Sequence, residues 1–165
     1  MSKFYITYFY NIRYFPGTLV PVSTLVWDPP WYHDNKGPNH IFIDKRWVIN
    51  GVRALGLSPT EEHIHMSHNS EEMCKGHETC AYNPESCKFL SNYWDYLQTL
   101  DFNETIKIIE DGVHKLRSGA DICLIVNEKP DNPCSERVML KKWFMQNGVE
   151  LKEWDKSEVD SIVWS

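Results

Sequence analysis

Asp121-Ile122-Cys123-Leu124-Ile125-Val126-Asn127-Glu128-Lys129-Pro130-Asp131-Asn132-Pro133-Cys134-Ser135-Glu136-Arg137 carries most of the information about how this chain folds. Residues 122–126 are a continuous apolar run bounded by polar residues, the pattern of a strand buried on both faces. Asn127 to Pro133 reads as a loop. From Ser135 to Gln146 the spacing predicts a helix with Val138, Met139, Trp143 and Phe144 inward, ended by Asn147-Gly148. Val149 to Trp154 then alternates as a closing strand.

Working upstream, Asp101 followed by Glu104 is a capping-box pattern with Asp in place of Ser or Thr. It opens a helix whose stripe is Ile106, Ile109, Val113 and Leu116, with Gly119 where a C-terminal cap belongs. Cys87 to Leu100 places Phe89, Leu90, Tyr93, Trp94 and Leu97 on one helical face. Near the N-terminus, residues 3–10 and Leu19 to Val26 read as strands separated by a Pro16-Gly17 turn. Pro29 and Pro30 cannot join a ladder, so a loop is expected there, and a short helix is predicted around 46–55. Helix, buried strand, helix, strand is the order of a parallel sheet with crossover connections. The expected fold is therefore α/β: three layers, a mostly parallel sheet of Rossmann-like or flavodoxin-like type, one domain over 1–165. Residues 58–86 have no apolar periodicity and read as a polar, Cys/His-rich insertion within it.

Composition narrows the class of function. The 165 residues carry a formal charge of −6, an apolar fraction of 42% and 13% aromatics, enough for a packed core. No apolar run approaches the roughly 18 residues that span a bilayer, and Met1 to Ile6 lacks a signal-peptide core. Five cysteines without an export signal point to reduced thiols or metal ligands and a cytoplasmic location. Residues 1–60 carry net +3 and the remainder net −9, with no contiguous basic block, which argues against general duplex-DNA binding.

In an open parallel sheet, ligands bind outside the carboxyl ends of the strands, which selects the loop after Val126. The helix that follows points its free N–H groups and positive dipole end at the same crevice. Cys134 stands where a thiolate is favoured, Arg137 is a candidate anion clamp, and Glu128 could be an acid, a base or the partner of Arg137. Asn127 and Ser135 complete this candidate ligand-binding set. The competing reading is a helix-capping loop, with Cys134 a small buried hydrophobe and Glu128–Arg137 a structural ion pair.

Glu128-Lys129-Pro130, then Cys134 and Arg137, lie between an apolar strand and a helix with an aromatic-apolar pair. This resembles the bacterial and phage family known as domain of unknown function 488, in which a strand is followed by Glu-x-Pro and then by Cys-His-Arg opening a helix. Tyr5 to Tyr10, Val22-Ser23, Pro29-Pro30-Trp31, Phe89-Leu90 with Tyr93, and Leu100-Asp101-Phe102 are similar to that family's other segments. The family's Cys-His-Arg is here Cys134-Ser135-Glu136-Arg137, so the His is absent and Arg falls one position late. The resemblance covers roughly 3–32 and 87–154. It implies the same α/β fold and a role in nucleotide or nucleic-acid metabolism, and the degenerate triplet shifts the emphasis from catalysis to binding.

Two further constellations carry chemistry. Cys74, His77, Cys80 and Cys87 supply four soft ligands that could close a structural zinc site, with His63, His65 and His68 upstream; the alternative is a loop whose thiols are incidental. Trp27, Trp31, Tyr32 and His33 form an aromatic loop whose faces could stack on a base while Arg13 and Lys36 reach phosphates; the same residues serve equally as a lid over a small core. Ser23, at the end of the second strand, joins the ligand-binding candidates.

The leading expectation is therefore a binder of a nucleotide or nucleotide-derived anion at the loop after 121–126. In a phage setting it would sequester a host immune nucleotide signal. One alternative is an enzyme on a nucleotide or nucleoside, with Cys134 as nucleophile and Glu128 as acid/base. The other is an interaction module that uses 58–86. The sequence leaves self-association open.

Overall fold

The computed structural model describes residues 2–26, 32, 40–43, 46–49, 52–66, 87–132 and 135–156. Strands β1 (Phe4–Tyr8), β2 (Leu19–Ser23), β5 (Val52–Arg53), β6 (Asp121–Val126) and β7 (Lys152–Glu153) form one sheet in the order β5-β2-β6-β1-β7. Every pairing in this sheet is parallel. A separate antiparallel pair joins β3 (His40–Ile43) to β4 (Arg46–Ile49). The helices are α1 (Glu61–Ile64), α2 (Lys88–Gln98), α3 (Phe102–Leu116) and α4 (Arg137–Gln146).

β6 lies at the centre because its sequence tolerates no water on either face: residues 122–126 are all fully buried. Its alternate side chains serve two cores. Ile122, Leu124 and Val126 join Phe4, Ile6, Val20 and Val22 under the helices, against Leu90, Tyr93, Val113, Leu140 and Phe144. Cys123 and Ile125 face the other way, with Phe9, Ile12, Phe15, Leu25, Tyr32 and Trp154. The result is a three-layer α/β fold of Rossmann- or flavodoxin-like type. Each buried Leu, Ile or Phe contributes roughly 1.5–3 kcal/mol, so the double-sided strand and its neighbours dominate stability.

Local chemistry sets the helix ends. The Asp101 carboxylate accepts the Glu104 N–H at 3.0 Å, which is the first half of the expected capping box. Ser135 Oγ accepts the Arg137 N–H at 3.1 Å, giving the first donor of α4 a partner, while the N-cap residue Glu136 makes no side-chain cap bond. Gly119 and Gly148 adopt φ of +73° and +79° just past α3 and the turn ending α4, a conformation that glycine enters without steric cost.

Several boundaries differ from expectation. β1 stops at Tyr8 and the chain tightens into a 3-10 helix at Phe9–Tyr14, since Phe9 and Ile12 must turn into the small core. The helix expected around 46–55 is instead β4, β5 and a 3-10 turn at Leu55–Leu57. The beginning of the polar insertion does reach a core: Ser58 and Ile64 are fully buried, as is Leu57 just before it, and Thr60 caps α1 by accepting the His63 N–H at 3.2 Å. On α4, Leu140 is fully buried while Val138 is half-buried; on α3, Leu116 is exposed. Among the described residues, no helix is long and apolar enough to cross a membrane.

Candidate functional site

At the carboxyl ends of β1 and β6, which are neighbours in the sheet, the chain leaves toward opposite faces. β1 runs into the 3-10 helix over the small core, and β6 runs into the loop leading to α4 over the large one. Such divergence opens a crevice at that edge. Two features occupy it.

The first is an aromatic groove of about 560 Å³ between the 3-10 helix, Pro130 and the end of β7. Tyr8, Tyr10 and Tyr14 line it, with Asn11, Glu153, Trp154, Asp155 and Lys156. The Tyr8 and Tyr10 rings are stacked at 6.3 Å, and Tyr10 meets Tyr14 at 6.0 Å. The Arg13 guanidinium lies 3.9 Å over the Tyr10 ring, and Lys156 Nζ is 5.4 Å from that of Tyr14. Tyr10 and Tyr14 lie near the start and at the end of the 3-10 helix, and their rings meet edge to face across its surface.

The second feature is a charged cluster beneath the groove, built from Glu128, Glu136, Arg137, Lys141 and Glu153. Glu136 and Arg137 are each only 3% exposed. Arg137 pairs through Nε with Glu153 Oε1, a contact of charge and not an aligned hydrogen bond. Lys141 Nζ sits 3.3 Å from the same oxygen. The Glu136 carboxyl is pushed up to about 8. Burial is the main cause, followed by repulsion from the Glu128 carboxylate; a Glu128 hydrogen bond adds to the rise, and Arg137 opposes it. Cys123, buried in the sheet, has its thiol pushed well up by burial and by Glu153, with Arg137 acting the other way. It is therefore held as a neutral thiol.

The sequence candidates fall into three groups. Glu128 and Arg137 belong to the charged cluster, Ser135 is fully buried with its Oγ on the Arg137 N–H, and Asn127 is exposed at the start of the loop. Of the readings left open for Glu128, an ion pair with Arg137 is not seen among the described residues; β7 brings Glu153 to the guanidinium instead. Arg13 borders the groove as a cation over Tyr10.

Tyr32 and Ser23 are core residues, not an open binding face. Tyr32 is fully buried, packs edge-on to Phe9 at 5.3 Å, donates its hydroxyl to Val52 O at 2.7 Å and accepts the Ser23 N–H at 3.1 Å. Ser23 is fully buried and its Oγ accepts the Leu25 N–H. A base has no access to the Tyr32 ring, so stacking there is ruled out.

Cys134, Trp27, Trp31, His33, Lys36, His68, Cys74, His77 and Cys80 lie outside the described residues. The remaining proposed zinc ligand, Cys87, is buried at the head of α2. His63 is engaged with Ser58 O at 2.7 Å and stacked on Tyr96 at 4.1 Å, while His65 is exposed. Among the described residues, no group of three or more His, Cys, Asp or Glu is arranged to hold a metal ion.

Sequence reasoning missed Glu136, Lys141 and Glu153 as site residues; of the groove tyrosines it read Tyr8 and Tyr10 as strand, which holds for Tyr8, and assigned Tyr14 no role. A usable signal was present. Glu136 adjoins Arg137 at a helix start, and Glu153 ends a strand that must lie beside the same edge.

Compared with protein-family models, curated proteins and solved structures, the chain matches none.

Proposed function

We propose that this protein binds a nucleotide or nucleotide-derived anionic small molecule at the carboxyl edge of its parallel sheet. The observation that carries the reading is the tyrosine groove flanked by Arg13 and Lys156. A volume of about 560 Å³ suits a ligand of nucleotide size. Tyrosine faces accept any base by stacking, and the two cations supply phosphate contacts. The sequence expectation put the base on the Trp31/Tyr32 loop; this reading puts it on Tyr8, Tyr10 and Tyr14, with Pro130 of the loop after β6 as one wall. Sequestering a host nucleotide signal is the biological role this reading allows; a tight binder with no turnover would fit it.

The test is to purify the full chain, denature it and identify released small molecules by mass spectrometry, with calorimetry of the recovered protein against nucleotides. A released nucleotide, rebound with an affinity that Tyr10→Ala lowers about tenfold or more, is the expected result. No nucleotide released and none bound at millimolar concentration overturns the reading.

A further inference from the structure

The groove leaves the charged cluster beneath it unexplained, and that cluster is incomplete as it stands. Arg137 is 3% exposed, yet among the described residues neither its Nη1 nor its Nη2 has a hydrogen-bond partner. Glu136 is equally buried beside the Glu128 carboxyl, and among the described residues the Oε1 atom of each has no hydrogen-bond partner. Buried polar groups without partners are costly, so a native structure that retains several together points to something that completes them.

We propose that Arg137 and the Glu136–Glu128 carboxyl pair form a buried seat for an oxyanion group of the ligand, which enters together with a proton held by the pair. This rests on the reading that the same edge binds an anionic small molecule. Glu153 joins the two parts, since it lines the groove and pairs with Arg137.

The chemistry follows from the donor set. Two terminal guanidinium nitrogens make a fork suited to a phosphate or carboxylate oxygen pair. The buried Glu136 carboxyl, beside the half-buried Glu128, keeps its proton and offers an O–H donor beside the fork. The groups facing Glu136 are Glu128 from the loop after β6, Arg137 from its own helix and Tyr93 from α2. The Tyr93 hydroxyl is already committed to Leu57 O at 2.6 Å. Glu153 from β7, Lys141 from α4 and Cys123 from β6 surround Arg137 and its ion pair.

With the pair holding one proton, the five charged groups balance. Without it the cluster carries a net negative charge that repels an anion. Glu136 holds its proton up to about pH 8, so affinity is full below that value and lost as pH rises through it. By linkage, a bound anion strengthens the hold on the proton and draws one in from solvent.

The decisive probe is sulfate, whose charge is constant over this range, titrated into the full chain by calorimetry. Two buffers of different ionisation enthalpy are used near pH 8. Expected are binding at about pH 7, uptake of up to one proton near pH 8, and a fall of about tenfold per pH unit above it. Glu136→Gln should bind sulfate with no proton uptake and a flat pH profile, and Arg137→Lys should bind about tenfold more weakly at every pH. Carbon-13 NMR titration of the glutamate carboxyls reads the shared proton without any substitution.

No sulfate binding at pH 7, a flat profile in the unsubstituted chain, or both carboxyls ionised by about pH 6 overturns the proposal. A Tyr10→Ala chain that loses nucleotide but keeps proton-linked sulfate binding supports both the groove and the seat. Nucleotide binding that ignores both pH and Arg137→Lys overturns the seat and leaves the groove standing.

Discussion

In the folded chain the Glu136 carboxyl holds its proton to about 8, whereas the ordinary value for the group is 4.5. Between those values the native state binds a proton that the unfolded chain has released. Stability therefore falls as pH rises through this window, by at most about 1.4 kcal/mol per pH unit, and levels off above it. Glu136→Gln, which keeps the shape and a donor toward Glu128, removes the ionisation. The expected outcome is a melting temperature above that of the unsubstituted protein at pH 7 to 8, with the difference shrinking toward pH 5; thermal denaturation across that range checks it. This property was only half legible in the sequence. Glu128 and Arg137 stood out because they follow an apolar strand, but the carboxyl's surroundings depend on the Tyr93 that α2 brings to it and on the Glu153 that β7 brings to Arg137. Those neighbours are distant in sequence.

The helices show the reverse balance, because the forces that make them are local. Asp101 with Glu104, the apolar stripe through Val113 and the glycine after the last turn are all chain-neighbour signals, and α3 formed between them as expected. Asp101→Ala removes the acceptor of the Glu104 N–H and should cost about 1 kcal/mol, read as a lower denaturation midpoint with an unchanged m-value. The stretch 46–55 misled for the same reason. Its residues have mixed propensity, and β5 exists because parallel pairing to Val22 and Ser23 is on offer. Tyr32 is a sharper case. An aromatic behind two prolines reads equally as platform or plug, and only the carbonyl of Val52 and the Phe9 ring beside it make it a plug.

For the molecule as a whole, fold class was the most legible property, since the double-sided burial of β6 and the helix–strand alternation leave few arrangements. The partition of the crevice into an aromatic groove and a charged seat was not legible, because it depends on β1 and β6 sending their chains to opposite faces. The sheet order also fixes when the molecule can exist. β1 and β2 do not pair with each other; both dock on β6, with Phe4 opposite Ile122 and Leu19 opposite Asp121. A chain shortened to residues 1–119 should show no cooperative unfolding transition by circular dichroism, as it lacks the strand that both require. During synthesis the ribosome releases two apolar strands long before their shared partner emerges. Long-range parallel pairing is also slow to form. Until residues 121–126 emerge, the nascent polypeptide carries two apolar strands with no partner in the sheet, and shielding them by a holdase chaperone should raise the yield of refolded protein.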